Sequence, residues 1–104
     1  THSHLDHIAD IANILDNYFN LRKKSLNIYG LPHTIQILKE DFLNDEIWPD
    51  FSQIPLANHS AMSVIYHEIE LDKIYTLCEN ETIRAFKTDH TISSCGYIYK
   101  KGET

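Results

Sequence analysis

Apolar residues recur every three or four positions near the start of the chain, in the stretch HIADIANILDNYFNLRKK that begins at His7. The positions that would share one helical face are Ile8, Ile11, Ala12, Leu15 and Phe19. This spacing predicts an amphipathic helix that turns its apolar face to a core. Asp6 is expected to be the N-cap, because aspartate accepts the unpaired N–H groups of a first turn. Cations are favourable near the C-terminal end of a helix, and this end would carry Arg22, Lys23 and Lys24.

A strand and a second helix are predicted next. LNIYG, residues 26–30, is typical of a short strand closed by glycine. Pro32 is expected to open a helix over PHTIQILKEDFLNDE. Its inward residues would be Ile35, Leu38, Phe42 and Leu43. The acidic run within it is interpreted as a solvated face, and residues 47–60, with two prolines and little periodicity, as a loop.

Beyond residue 60 the pattern becomes that of strands. The predicted strands are MSVIYHEIEL, KIYTLCE, TIRAFKT and GYIYK, with turns at Asn80-Glu81 and at Lys101-Gly102. The order of elements is therefore helix, strand, helix and then a β-rich half. We expect one mixed α/β domain over residues 1–104, which suits the length of the chain.

Charge and composition narrow the function classes. The chain contains nine Lys and Arg residues and fifteen Asp and Glu residues, which gives a net charge of −6. This excess of acidic residues disfavours a broad basic surface that would bind nucleic acid or anionic lipid. Bound metal ions would still attract a phosphorylated ligand. No run approaches the ~18 apolar residues of a membrane span, and two cysteines do not form a disulfide framework. A cytoplasmic location is expected, and a homo-oligomer is compatible with the sequence.

The richest candidate chemistry lies in THSHLDH, residues 1–7, where His2, His4, Asp6 and His7 fall close together. In an extended backbone alternate side chains point to the same side, and a turn into a helix would swing His7 towards that side. Imidazoles with a carboxylate suit zinc, and also manganese or iron. A purification tag would be an uninterrupted run of histidines, so this motif, which continues into Asp6, His7 and a helix, is not a tag. The remaining alternative is a capping Asp6 beside solvent-exposed histidines.

The chain also resembles a known family. THSHLDH is similar to the metal-binding signature of the metallo-β-lactamase fold hydrolases. Three longer stretches resemble the class II cyclic-nucleotide phosphodiesterase branch of that fold: HSHLDHIADIANILDNYF, LNIYGLPHTIQILKEDFLNDEIWPDF and FKTDHTISSCGYIY. The resemblance implies a portion of an αββα sandwich. It also implies that the TDHT segment supplies a further metal-binding histidine, His90.

The resemblance implies a site with two divalent metal ions. His2, His4 and His90 would hold one ion, and Asp6 and His7 would contribute to the second. Asp6 could also accept a proton from the attacking water. The bridging aspartate and the final histidine that the family uses have no counterpart after His90. We therefore expect an internal portion of a longer hydrolase that is catalytically incomplete by itself.

The function that the resemblance implies is hydrolysis of cyclic AMP or cyclic GMP to a nucleoside 5′-monophosphate. The alternatives are a transfer-RNA 3′-processing nuclease of the same fold and a non-catalytic metal-binding fragment. Trp48, Asp50 and Phe51 lie in the long loop and could form part of a base pocket, or the two aromatic rings could cap the core with Asp50 on a turn. His33, at a helix start, could contact a phosphate or be an ordinary surface histidine.

Overall fold

The computed structural model of the chain describes residues 1–21 and 23–102, apart from the side chain of Asn20. Helix α1 is Leu5–Asn17, strand β1 is Leu26–Gly30 and helix α2 is Pro32–Ile37. The later strands are β2 (Val64–Glu68), β3 (Ile74–Cys78), β4 (Glu81–Lys87) and β5 (Cys95–Lys101). The predicted mixed α/β class and the predicted order of elements are both confirmed.

Helix α1 begins one residue before Asp6, so the prediction that Asp6 is the N-cap is wrong. His4 occupies the cap position, and its carbonyl accepts the N–H of His7 at 2.9 Å. Asp6 lies instead in the first turn, where its carboxylate is favourable beside the positive end of the helix dipole. The extended part of the signature is therefore shorter than the alternating pattern predicts.

Helix α1 also ends earlier than predicted. The Tyr18 N–H still donates to the Ile14 carbonyl at 3.2 Å, but the next residues tighten into a 3₁₀ turn, Phe19–Leu21. Asparagine and aromatic residues, which follow one another here, have modest helix propensity. Lys23 and Lys24 lie beyond the helix, so they do not support the predicted cationic helix end. Arg22 lies outside the described residues.

Helix α2 continues as a π-helical segment, Leu38–Phe42, and stops before the predicted end at residue 46. The Leu43 N–H donates to the Leu38 carbonyl at 2.7 Å, which is the wider π spacing. The Asn44 side chain then accepts two backbone N–H groups at 2.9 and 3.0 Å and turns the chain out of the helix. The four residues predicted to face inward are all buried.

The five strands form two separate sheets. Strands β1 and β2 pair in parallel, and β3, β4 and β5 form an antiparallel sheet in sequence order. Strands β2 to β5 agree with the predicted strands, although β2 is shorter. The predicted turn between β3 and β4 is present, and Asn80 takes a positive φ of 63° in it. After β5, Gly102 has a φ of 77°, and its N–H donates to the Asn80 carbonyl at 2.6 Å.

Two apolar clusters support these elements. One joins the apolar face of α1 to α2, the π segment and the parallel strands; its buried members are Ile8, Ala12, Leu15, Ile35, Leu38, Phe42, Leu43, Phe51 and Val64. The second packs the antiparallel sheet through Leu31, Ile69, Ile83, Ala85 and Cys95. Over the described residues, no helix has the length and apolar character needed to cross a bilayer.

Candidate metal centre

The segment that precedes α1 is fixed to the far half of the chain. The carbonyl of Thr1 accepts the N–H of Cys95 at 2.9 Å, and Cys95 is the buried first residue of β5. This bond holds His2 and His4 beside the connection between β4 and β5. The N-terminal histidines therefore lie next to a loop that is remote from them in sequence.

The β4–β5 connection carries His90. Its stem is set by the pairing of Lys87 with Cys95, the last pair of the β4–β5 ladder. The Thr88 N–H then donates to the Ser94 carbonyl at 3.5 Å, and the hydroxyls of the same two residues lie 2.6 Å apart. These contacts close the loop at residues 88 and 94 and present His90 between them.

Four imidazole rings converge where these two segments meet. The ring centroid of His2 lies 3.9 Å from that of His7, 4.2 Å from that of His90 and 4.9 Å from that of His4. The centroids of His4 and His90 are 5.0 Å apart. The structure thus brings together the three histidines that were predicted to share one ion.

Two sets of donor atoms could each hold a metal ion. The nitrogens of His2, His4 and His90 lie within 4.8 Å of one another, and so do the donor atoms of His2, Asp6 and His7. Ligands about 2.0–2.1 Å from a tetrahedral zinc ion are roughly 3.3–3.5 Å apart, so small ring rotations would close either set. Imidazoles and one carboxylate are donors that suit zinc, manganese or iron, and the residues therefore fit such ions. His2 belongs to both sets, which the spacing of the motif did not predict.

His2 is the buried member of this cluster, at 6% exposure. Loss of hydration lowers the pKa of His2 below its ordinary 6.5, and the nearby imidazoles of His7, His90 and His4 lower it further. The neutral form that this environment favours is the form that binds a metal ion. On the exposed side, His7 Nε2 lies 3.4 Å from Asp6 Oδ2.

The other predicted site residues are not part of this cluster. Phe51 is 5% exposed and belongs to the first apolar cluster, and Trp48 packs against the same cluster. Asp50 accepts the N–H of Ser52 at 3.0 Å and is used in a turn. The burial of Phe51 favours the core-packing alternative for this ring, and the base pocket stays a prediction. His33 is exposed at the start of α2, and its phosphate contact stays a prediction.

A cavity of about 350 Å³ opens beside His90. Its polar walls are Lys87, Thr88, Asp89, Ser93 and Ser94, and its apolar walls are Leu31, Leu71 and Ile92. Leu31 directly follows β1, so the cavity lies near the carboxyl end of a parallel strand, where α/β sheets bind ligands. Sequence reasoning missed this cavity and the contacts of Thr1, because neither has a signal in residue spacing.

Comparisons with known proteins identify a family for this chain. Residues 1–97 match the family model of class-II cAMP phosphodiesterases. The chain is 45% identical over 53 residues to 3′,5′-cyclic-nucleotide phosphodiesterase 1 of Saccharomyces cerevisiae, covering 50% of this chain and 14% of that protein. It is 29% identical over 58 residues to a 3′,5′-cyclic-nucleotide phosphodiesterase of Candida albicans, covering 56% of this chain and 13% of that protein.

A solved structure is similar over almost the whole fold. The crystal structure of unliganded yeast PDE1 matches with a TM-score of 0.72 and 26% identity, over 96% of this chain and 27% of that chain. The predicted fold, a portion of the metallo-β-lactamase type, is thereby confirmed. This chain belongs to the family of class-II cAMP phosphodiesterases.

Proposed function

We propose that this chain provides metal-binding residues for the hydrolysis of 3′,5′-cyclic nucleotides to nucleoside 5′-monophosphates. The observation that carries the proposal is the convergence of His2, His4, Asp6, His7 and His90 from the two ends of the sequence. The names of the yeast and Candida relatives support the choice of substrate. Both relatives are longer than this chain, which covers 14% and 13% of them.

We assign two divalent ions to the cluster, with zinc first and manganese or iron as alternatives. His2, His4 and His90 would hold one ion, and Asp6 and His7 would hold the second, with His2 adjacent to both. When bound, such ions lower the pKa of a water and neutralise charge on a phosphate. The neutral state favoured at His2 suits this role, because an imidazolium ion cannot coordinate a metal.

The carboxylate of Asp6 has a separate part in this proposal. In the reaction, water adds to phosphorus and loses a proton, the bond from phosphorus to O3′ breaks, and O3′ takes up the proton that the water has lost. Asp6 projects from the first turn of α1 with its side chain 79% exposed, so it is accessible to a substrate water. We assign Asp6 to accept the proton that this water loses, in addition to its contact with an ion.

We place the nucleotide in the cavity beside His90. Its volume, about 350 Å³, lies in the range of small-molecule sites. The Lys87 ammonium can attract the phosphate, and the Thr88 and Ser94 hydroxyls can bind sugar or phosphate oxygens. A larger cavity of about 440 Å³ lies on the antiparallel sheet, but no residue of the histidine cluster lines it.

A chimera with the yeast relative tests the proposed function. Residues 1–97 would replace the matching segment of the Saccharomyces enzyme, and hydrolysis of cyclic AMP and bound zinc would be measured. We expect His90→Ala to lower turnover by ~100-fold or more and to reduce the zinc content. The matched control is His59→Asn, because His59 is an exposed histidine outside the cluster and asparagine tolerates its φ of 58°.

The two histidine variants decide the result. Equal activity and equal zinc content in the His90 and His59 variants would reject the proposed centre. An active chimera that cleaves a transfer-RNA precursor but not cyclic AMP would instead support the nuclease alternative. The net charge of −6 makes that outcome unexpected, since RNA binding favours a basic surface.

A further inference from the structure

One hydroxyl lies between two of the candidate metal ligands. Thr1 Oγ1 is 3.3 Å from His2 Nδ1 and 3.0 Å from His7 Nδ1. The two rings are themselves in contact, with centroids 3.9 Å apart. Thr1 therefore contacts both rings at the nitrogen that is nearer to the backbone. Nε2 of His7 lies 3.4 Å from Asp6 Oδ2, its companion in the second donor set.

The number of protons available limits how these contacts can be made. A hydroxyl has one hydrogen and two lone pairs, so Thr1 can donate to only one of the two rings. At least one ring must therefore donate from Nδ1, and both can do so if the hydroxyl accepts twice. A neutral imidazole with its hydrogen on Nδ1 has its lone pair on Nε2, ready for an ion.

We propose that Thr1 is a positioning residue whose hydroxyl accepts hydrogen bonds from Nδ1 of His2 and His7 and keeps Nε2 of both rings free for metal. This inference rests on the metal-binding role proposed above. Outer contacts of this kind fix the tautomer and the orientation of a ligating histidine. Thr1 is itself not a ligand, and it acts through the two imidazoles.

The surroundings of Thr1 support this role. Its carbonyl is fixed by the Cys95 N–H at 2.9 Å, so the hydroxyl has a defined place relative to β5 and to the loop that carries His90. His90 has a comparable neighbour, because its Nδ1 lies 3.4 Å from Thr91 Oγ1. Three of the four converging rings thus have a threonine hydroxyl beside Nδ1.

Two substitutions at Thr1 test the inference. Thr1→Val removes the hydroxyl and nearly keeps the shape, whereas Thr1→Ser keeps the hydroxyl. The backbone bond to Cys95 does not depend on the side chain, and the protection of the Cys95 amide from exchange checks that it persists. Thr76→Val is the matched control, because Thr76 is exposed on β3 and no residue of the cluster is near it in sequence.

The readouts are the ¹⁵N chemical shifts of the histidine rings in the metal-free chain and the zinc dissociation constant. We expect the hydrogen to be on Nδ1 of His2 and His7 in the wild-type chain and in Thr1→Ser. In Thr1→Val it should move towards Nε2 in these two rings but not in His90. The zinc affinity should fall ~10–100-fold in Thr1→Val and recover in Thr1→Ser.

The outcomes separate this inference from the proposed function. If the wild-type chain binds zinc and Thr1→Val changes neither the tautomers nor the affinity, the role of Thr1 is rejected and the metal centre stands. Failure of Thr1→Ser to restore the affinity also rejects it. If the wild-type chain binds zinc no better than a His2→Ala, His4→Ala, His90→Ala triple variant, both the metal centre and the role of Thr1 are rejected.

Discussion

The rings of His2 and His90 lie 4.2 Å apart, centroid to centroid, although almost the whole sequence separates the two residues. The contact results from the β4–β5 ladder, which carries the His90 loop, and from the bond between Thr1 and Cys95. His2 is buried and His90 is exposed. The cluster can therefore be probed from its exposed members without removing side chains from either apolar core.

Replacing Asp6 by asparagine should weaken metal binding more than it weakens the fold. Asp6 is exposed in the first turn of α1, so the lost helix-dipole interaction is worth only about 0.3–1 kcal/mol. We expect the zinc affinity to fall ~10-fold or more, because a neutral amide is a poor substitute for a carboxylate ligand. Affinity would be measured by competition with a zinc-chelating dye, and stability by urea unfolding followed through Trp48 fluorescence.

Asp10→Asn is the control for this substitution. Asp10 is an exposed aspartate of the same helix and has no place in either donor set. Its substitution should leave the zinc affinity unchanged. A similar loss of affinity in both variants would show that the overall charge of the helix matters and that Asp6 is not a ligand.

The metal-free chain should lose stability as the pH falls below 6.5. Because the folded environment lowers the pKa of His2 from 6.5, the unfolded chain binds the proton more readily. The contribution of neutral His2 to the free energy of unfolding is complete above pH 6.5. It is lost as the pH falls through the pKa that His2 has in the folded chain. His2→Gln should flatten this part of the urea-midpoint profile, whereas His33→Gln, at an exposed site outside the cluster, should not. Parallel profiles for the two variants would contradict the prediction.

The isolated chain should bind zinc without ordinary turnover. Among the described residues, the donor sets comprise only five side chains, and the second set has His2 in common with the first. A loosely held ion with few protein ligands gives weak activation of a poorly fixed water. We expect cyclic AMP hydrolysis by the zinc-saturated chain to stay far below the ~1–10³ per second of ordinary enzymes. Turnover in that range would refute the prediction.

Tyr66→Phe should stabilise the chain, most of all at alkaline pH. The Tyr66 hydroxyl is buried and has no hydrogen-bond partner among the described residues. Its removal should gain roughly 1 kcal/mol at pH 7. Burial, with the Asp50 carboxylate nearby, raises the pKa of Tyr66 from 10 to about 12. The contribution of protonated Tyr66 to the free energy of unfolding is therefore complete below pH 10 and is lost as the pH rises towards 12. Phenylalanine does not ionise, so the variant avoids this loss.

The control for Tyr66 is Tyr18→Phe, since Tyr18 is 54% exposed and gains nothing from losing its hydroxyl. Urea unfolding of both variants at pH 7 and pH 11 would give the comparison. A Tyr66→Phe variant that is no more stable than the wild type at either pH would indicate that water reaches the hydroxyl.

Local pattern predicted the cores better than it predicted the element ends. The three- and four-residue spacing of Ile8, Ala12 and Leu15 is sufficient to place them on the buried face of α1. The ends depend on single hydrogen bonds, such as those that Asn44 accepts after the π segment, and spacing does not reveal them. Phe51 shows a similar limit, because residue spacing in a loop does not determine whether an aromatic ring packs in the core or contacts a ligand.

The candidate site could be predicted only in part from the residues alone. His2, His4, Asp6 and His7 are adjacent in sequence, so a single corner of the backbone brings them together. His90 comes from the β4–β5 loop, and only the family resemblance indicated it. The position of Thr1 between two rings depends on the rotation of each side chain, which the sequence pattern does not determine.

Because the chain has two apolar clusters, the candidate ions should also affect how cooperatively it unfolds. The first cluster is made by the helices and the parallel strands. In the second, the antiparallel sheet packs against Leu31 and Ile69, which follow the two parallel strands. An ion held by His2, His4 and His90 would cross-link these halves and close a loop that contains nearly the whole chain. Cross-links over long loops remove much of the entropy of the unfolded state. With the ion bound, both halves should unfold in one transition, and after chelation the antiparallel sheet should be able to open by itself.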